Sequence, residues 1–156
     1  MTAPLRLYVR RSETPEPDSD ASRVQISLRV PTDLDVVEET VDLVARHCLA
    51  CGVPPRAARF VVRVVLCETL ANAIVHGNQM DPSKRVEVRV EVGSAEVSLH
   101  VRDEGSGFNP GVVPDPTEPG RIDLAQGRGL FLIHQLMDEV HFNERGNAIC
   151  MIMRRE

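Results

Sequence analysis

The sequence predicts an α+β domain: a two-layer sandwich in which helices cover one face of a largely antiparallel, mixed sheet. Three observations predict it. Residues 23–30 and 85–101 alternate apolar and polar side chains, the period of half-buried strands. Residues 34–76 repeat apolar side chains at helical spacing instead. The resulting order, β-α-α-β-β-α-β-β, joins neighbouring strands by short turns and so favours antiparallel pairing.

Each element has its own cause. Val24, Ile26, Leu28 and Val30 put one apolar face on the first strand. Pro31-Thr32-Asp33 ends it and caps a helix, in which Leu34, Val37, Val41, Val44, Ala45 and Cys48 recur before a stop at Gly52. Pro54-Pro55 opens a second helix at the one position where proline is tolerated. It runs through Phe60, Val64 and Leu70 to His76 and ends at Gly77. Val86, Val88, Val90 and Val92 alternate with charged residues, Gly93-Ser94 turns the chain, and Val97, Leu99 and Val101 complete a hairpin with one wet face. A helical pattern resumes from Gly129 to Met137, and strands at Val140 to Phe142 and Ala148 to Met153 close the chain.

The domain is read as residues 23–156. Residues 11–22 are rich in Pro and acid, so 1–22 reads as a mobile N-terminal segment. Within it Leu5, Leu7 and Val9 alternate, as a stray strand or a partner-docking arm would.

Aromatic residues make up 3% of the chain and Trp is absent, so the core must be aliphatic. A net charge of −5 argues against direct binding to nucleic acid, which calls for a basic face. No apolar run reaches membrane-spanning length, and the first residues lack the apolar stretch of a secretory signal, so a cytoplasmic protein is expected. Cys48 and Cys51 form a C-x-x-C after His47 inside an amphipathic helix pattern. Without a second such pair they read as ordinary reduced thiols, with a metal or redox site the lesser alternative.

Three short blocks carry chemistry. The first is E-T-L-A-N-A-I-V-H-G-N at 68–78. Glu68 and Asn72 lie four apart, so on a helix they stack on one face, with Val61 and Val65 before them and His76 after. Taken alone, the pair reads as a solvated face or a structural hydrogen bond. As a site, Asn72 offers a neutral oxygen to Mg²⁺ and Glu68 accepts a proton from a hydroxyl. The second block, R-D-E-G-S-G-F at 102–108, puts Asp103 at a strand end before Gly105 and Gly107. That is either a simple turn or a carboxylate placed to accept from an adenine amine, with glycines permitting close approach. The third, Q-G-R-G-L-F-L-I at 126–133, sets Gly127, Arg128 and Gly129 at a helix start, where free N–H groups and the helix dipole favour phosphate. It is not a Walker-type loop, because the G-x-x-x-x-G-K-[ST] pattern is missing. Between the last two blocks, 104–128 is rich in Gly and Pro, and a loop of that length inside a compact domain usually has a function.

In wording, order and spacing the three blocks resemble the N, G1 and G2 boxes of the GHKL ATPase superfamily, in its branch of anti-sigma factor serine/threonine kinases of the partner-switching type. The resemblance covers residues 23–154 and implies a Bergerat-type sandwich that binds ATP and Mg²⁺. By it Glu68 is the catalytic base, Asn72 the metal ligand and Asp103 the adenine-reading carboxylate. Gly105 and Gly107 line the base, Gly127 and Gly129 the phosphates with Arg128 beside them, and His76 approaches the phosphates. Residues 109–126 become the ATP lid, although Arg121 is outnumbered there by Asp115, Glu118 and Asp123. The resemblance also implies a homodimer and two partners: a sigma factor and an antagonist of the STAS type, phosphorylated on Ser or Thr. Two other readings stand beside the kinase. One is an ATP-gated binding module without significant phosphotransfer. The other is the catalytic half of a sensor kinase, ranked last because no phospho-acceptor helix pair precedes residue 23.

Overall fold

The computed structural model describes residues 6–12, 23–107 and 125–155, with side chains from 23–107 and 128–155. Strand β1 (Arg6–Ser12) is followed by β2 (Arg23–Pro31), α1 (Val37–Ala50), α2 (Val62–Asn72), β3 (Arg85–Val92) and β4 (Glu96–Arg102). Helix α3 (Ala125–Leu136), β5 (Glu139–Phe142) and β6 (Ala148–Arg154) complete the chain. The order is the expected one with a strand added in front: Leu7 and Val9 of the N-terminal alternation belong to β1, which pairs with β2 from Arg6↔Arg29 to Ser12↔Arg23, while Leu5 lies outside the described residues. The six strands run β1-β2-β3-β4-β6-β5. Every pairing among the described strands is antiparallel, so the parallel component expected of a mixed sheet is not seen.

Alternation decides which face is covered. Ile26, Leu28 and Val30 of β2, Val86 to Val92 of β3, Val97, Leu99 and Val101 of β4 and Met151 of β6 all point into one layer. There they meet Val41 and Val44 of α1, Val62, Leu66 and Leu70 of α2, and Ile133 of α3. Leu66, Leu70, Ile74, Val90 and Leu99 are fully buried in it. This aliphatic layer is where most of the folding free energy lies, at about 25 cal/mol per Å² of apolar surface withdrawn from water.

The second helix departs from its sequence pattern. Five-residue π turns at Ala57–Val61 and Ala73–Gly77 flank α2, so the helix spans 55–77 but with its phase shifted at both ends. Phe60, an expected core position, is therefore 53% exposed, and Ala58 and Val62 are buried instead. Such turns recur at functional sites. Asp33 caps as expected, its carboxylate accepting from the N–H of Asp35, but the helix it starts is a 3₁₀ turn, Leu34–Val36, that leads into α1. Gly52 ends α1 at φ +83, a left-handed conformation suited to glycine.

Antiparallel pairing gathers loops at one edge of the sheet. The end of β2 adjoins the start of β3 at Pro31↔Arg85. The end of β4 adjoins the start of β6 at Arg102↔Ala148. The turns after β2, before β3, after β4 and before β6 thus share one edge, over which α2 delivers its C-terminal end.

Candidate functional site

A cleft opens at that edge. Thr69, Asn72, Ala73, His76 and Gly77 form its helix wall, Val101, Asp103 and Gly107 its sheet side, and Leu130 and Phe142 close it. The first two sequence blocks meet there through a glycine, Gly77 against Asp103, 26 positions apart. A Cβ on Gly77 would collide with the carboxylate of Asp103, so only glycine lets the helix end lie against that side chain. Gly105 is equally constrained: a Cβ there would strike the carbonyl of Gly77 and lie 2.9 Å from Asp103 Oδ1. Gly107 adopts φ +84 and packs on the carbonyl of Arg145, in the turn before β6.

Asp103 is held by its backbone. Its N–H donates to the carbonyl of Asn147 at 2.9 Å, and its own carbonyl accepts from Asn147 Nδ2 at 3.2 Å. The carboxylate accepts from the N–H of Gly105 at 2.8 Å. Burial raises the carboxyl above the usual aspartate range, and the Gly105 hydrogen bond, then Lys84 and Arg145, pull it part of the way back. A half-desolvated carboxylate with one oxygen committed to a backbone N–H retains acceptor capacity toward the cleft.

The third block joins the first at α3. A Cβ on Gly129 would lie 2.7 Å from Glu68 Oε2 and 3.4 Å from Asn72 Nδ2. Glu68 and Asn72 are both half-buried and share the helix face that their spacing predicts. Glu68 does not line the cleft. It borders an adjoining groove with Leu34, Val37, Val41 and Val64, one helical turn away from Asn72. His76 and Arg128 are exposed, and His76 lines the cleft. Helix α3 begins at Ala125, four residues earlier than its pattern suggests. Gly127 and Arg128 thus fall in its first turn, and Gly129 lies just past it. The segment taken as the lid, 109–126, falls largely outside the described residues.

Residues that sequence reasoning passed over complete the site. Asn78 and Asn147 are buried polar side chains that tie the site's loops together. Asn78 closes the first block, 68–78, but it follows a helix-ending glycine and reads as part of an ordinary stop, so the sequence assigns it no role. Thr69 is buried in the cleft wall with its hydroxyl donating to Val65 O at 2.8 Å. Gln79 and Met80 follow Asn78 at φ +52 and +59. For side chains other than glycine each costs on the order of 1–2 kcal/mol.

The site suits a nucleotide bound with Mg²⁺. At Gly77, Gly105 and Gly129 the place a Cβ would take is already held by Asp103, the Gly77 carbonyl and Glu68, so these glycines let the walls of the site close on one another. Among the described residues no group of three or more His, Cys, Asp or Glu is arranged to hold a metal. Asn72, in the helix wall of the cleft, is a residue whose side-chain oxygen could serve Mg²⁺, which takes few protein oxygens and completes its shell with water and phosphates. The C-x-x-C stays apart. Its cysteines are free thiols, and burial first, then Cys51, pushes the Cys48 thiol up to about 12.

Helices and glycine turns closing over one edge of an antiparallel sheet define a nucleotide-binding sandwich of the GHKL kind. The chain belongs to the histidine kinase-like ATPase domain family, whose sequence model matches residues 30–153. It is similar to curated proteins described as anti-sigma F factors. With that of Anoxybacillus flavithermus it is 32% identical over 88 residues, covering 55% of this chain and 60% of the relative. With that of Bacillus cytotoxicus it is 35% identical over 81 residues, covering 51% and 56%. With that of Clostridium perfringens it is 26% identical over 98 residues, covering 61% and 70%. The match with the first two thus spans somewhat more than half of their length. No helix among the described residues is long and apolar enough to cross a membrane.

Proposed function

We propose that the chain is an ATP-dependent protein serine/threonine kinase and anti-sigma regulatory factor of a partner-switching system. In this reading it sequesters a sigma factor and phosphorylates a Ser or Thr of a STAS-type antagonist, acting in the cytoplasm as a homodimer. The observation that supports it is the approach of Gly129 to Glu68 and Asn72, which sets a carboxylate and an amide beside a glycine-rich helix start. The similarity to anti-sigma F factors supports the choice of partner class.

Mg²⁺-ATP, when bound, supplies the transferable phosphoryl group. Asp103 accepts a hydrogen bond from the adenine amine, beside Gly105 and Gly107. Asn72 would give its side-chain oxygen to the metal. Gly127, Arg128, Gly129 and His76 would hold the phosphates, with the positive end of α3 close by. Glu68 orients the acceptor hydroxyl and takes its proton. It borders a groove rather than the nucleotide cleft, so a protein side chain reaches it from outside.

The test is phosphotransfer to STAS proteins encoded beside the gene. Glu68→Ala is expected to abolish transfer and keep ATP affinity; Asn72→Ala is expected to weaken Mg²⁺-ATP binding itself. Full transfer by Glu68→Ala removes the base assignment. ATP binding without transfer to any such partner makes the chain an ATP-gated binding module instead.

A further inference from the structure

We propose that Asn78 is the positioning residue that aims Asp103, so that a buried amide outside the cleft sets how strongly the site prefers adenine to guanine. The proposal rests on the reading of Asp103 as the adenine acceptor.

Asn78 is fully buried. Its carboxamide makes three hydrogen bonds to three separate segments of the chain. Nδ2 donates to Thr32 Oγ1 at 2.9 Å, after β2, and to the carbonyl of Arg85 at 3.1 Å, at the start of β3. Oδ1 accepts from the N–H of Glu104 at 2.8 Å. The partners fix which end of the amide is oxygen: a flip would set N–H against N–H at Glu104. Thr32 in turn donates to the carbonyl of Lys84 at 2.6 Å, which locks the hydroxyl as an acceptor toward Asn78.

The bond to Glu104 matters most because of where it falls. The Glu104 N–H and the Asp103 carbonyl belong to one peptide unit. Asn78 holds the first, and Asn147 Nδ2 holds the second at 3.2 Å. A planar peptide pinned at both polar atoms cannot rotate. Its orientation fixes ψ of Asp103, and with the N–H of Asp103 bonded to Asn147 it fixes the direction of the Cα–Cβ bond. The Asp103 carboxylate is thereby aimed without any ligand present. Asn147 lines the cleft and Asn78 does not, so Asn78 acts on a ligand indirectly, through the peptide that carries Asp103.

A helix stop alone asks much less of this residue. The backbone N–H of Asn78 already closes the π turn on Ala73 O at 2.7 Å. The next two residues nevertheless take left-handed backbone without glycine, at φ +52 and +59. Strain of this kind persists where the surroundings over-determine a geometry, and it concentrates at functional sites. Here the surroundings are the three segments that the carboxamide joins.

The experiment measures the affinities of Mg²⁺-ATP, Mg²⁺-GTP and Mg²⁺-tripolyphosphate, together with Tm, for wild type, Asp103→Asn, Asn78→Ser and Thr32→Val. The Ser hydroxyl is too short to reach Glu104. Thr32→Val removes one partner of the amide at a position outside the cleft. The ATP:GTP preference should fall about tenfold in Asn78→Ser and about threefold in Thr32→Val, the scale of one lost or loosened hydrogen bond. Tripolyphosphate affinity should stay within about twofold, because the phosphate end is untouched. A lowered Tm with the wild-type ATP:GTP ratio overturns the proposal, since a purely structural amide would do that. If Asn78→Ser does not fold, Thr32→Val decides, and an unchanged ratio there overturns it equally. The Asp103→Asn arm reports on the underlying reading: a preference that survives it, or no preference in wild type, removes Asp103 as the adenine acceptor and the proposal with it.

Discussion

Replacing Gly129 by Ala separates the stability of the domain from its chemistry. The added Cβ would sit 2.7 Å from Glu68 Oε2, about 0.7 Å short of ordinary contact at 3.4 Å. Glu68 is the end of a flexible, half-buried side chain, so it moves aside and the backbone does not. Inside a helix Ala is preferred to Gly by about 0.8–1 kcal/mol. The expected net effect on folding is therefore neutral to stabilising, with Tm unchanged or raised by about 2–4 °C. Chemistry responds in the opposite sense. A general base contributes about 10²–10⁴-fold, and a displacement of about 1 Å at a reacting group costs up to about 10²-fold. Transfer to a STAS partner should thus slow by about 10- to 100-fold at saturating Mg²⁺-ATP, with nucleotide affinity titrated separately. Single-turnover transfer of labelled phosphate, run beside a thermal melt, reads both quantities. A Gly129→Ala protein with wild-type transfer, in a background where Glu68→Ala abolishes it, refutes the inference that the close approach of α3 sets the position of Glu68.

Other perturbations have equally definite outcomes. Asp103→Asn should cost about ten- to a hundred-fold in ATP affinity, the worth of a charge-assisted hydrogen bond, and leave GTP affinity nearly unchanged; calorimetry with both nucleotides checks it. The same variant should stabilise the empty protein at neutral pH. A carboxyl raised on folding makes the folded state hold its proton longer, so its destabilising contribution is present above the folded pKa and disappears as pH falls through the raised value and then the unfolded one. Denaturant melts across that acid range should show the gain of Asp103→Asn shrinking toward low pH. Gln79→Gly relieves a left-handed residue at φ +52 and should raise stability by up to about 1 kcal/mol, net of the entropy that glycine adds to the unfolded chain; a loss above about 1 kcal/mol on melting contradicts the strain. Cys48 should resist alkylation at neutral pH until the protein unfolds, because it is buried and its thiol is pushed up to about 12, whereas Cys67, although partial burial and Glu68 also raise its thiol, is exposed and reacts before Cys48. Mass spectrometry after brief iodoacetamide treatment gives the order.

Period and spacing were enough for whatever depends on near neighbours in the chain. Alternation in Val86–Val92 and Val97–Val101 determines a hairpin with one buried face, because successive strand side chains point to opposite sides. Helical spacing puts Glu68 over Asn72, since one turn of helix separates them. The local rule failed where the helix changed its winding. The π turns around α2 exposed Phe60 and carried His76 and Gly77 to the cleft, and no period in the sequence announces an extra residue in a turn. Contacts between distant segments belonged to the tertiary structure alone. Gly77 against Asp103, Gly129 against Glu68, and Asn78 joining Thr32, Arg85 and Glu104 depend on strand order and register, which bring together residues up to 61 positions apart. The sequence by itself determined the chemistry available to this protein, because side-chain identity is local. Only the packed sheet and helices decided which carboxylate faces which glycine, because that is fixed by how two layers bury their apolar faces against each other.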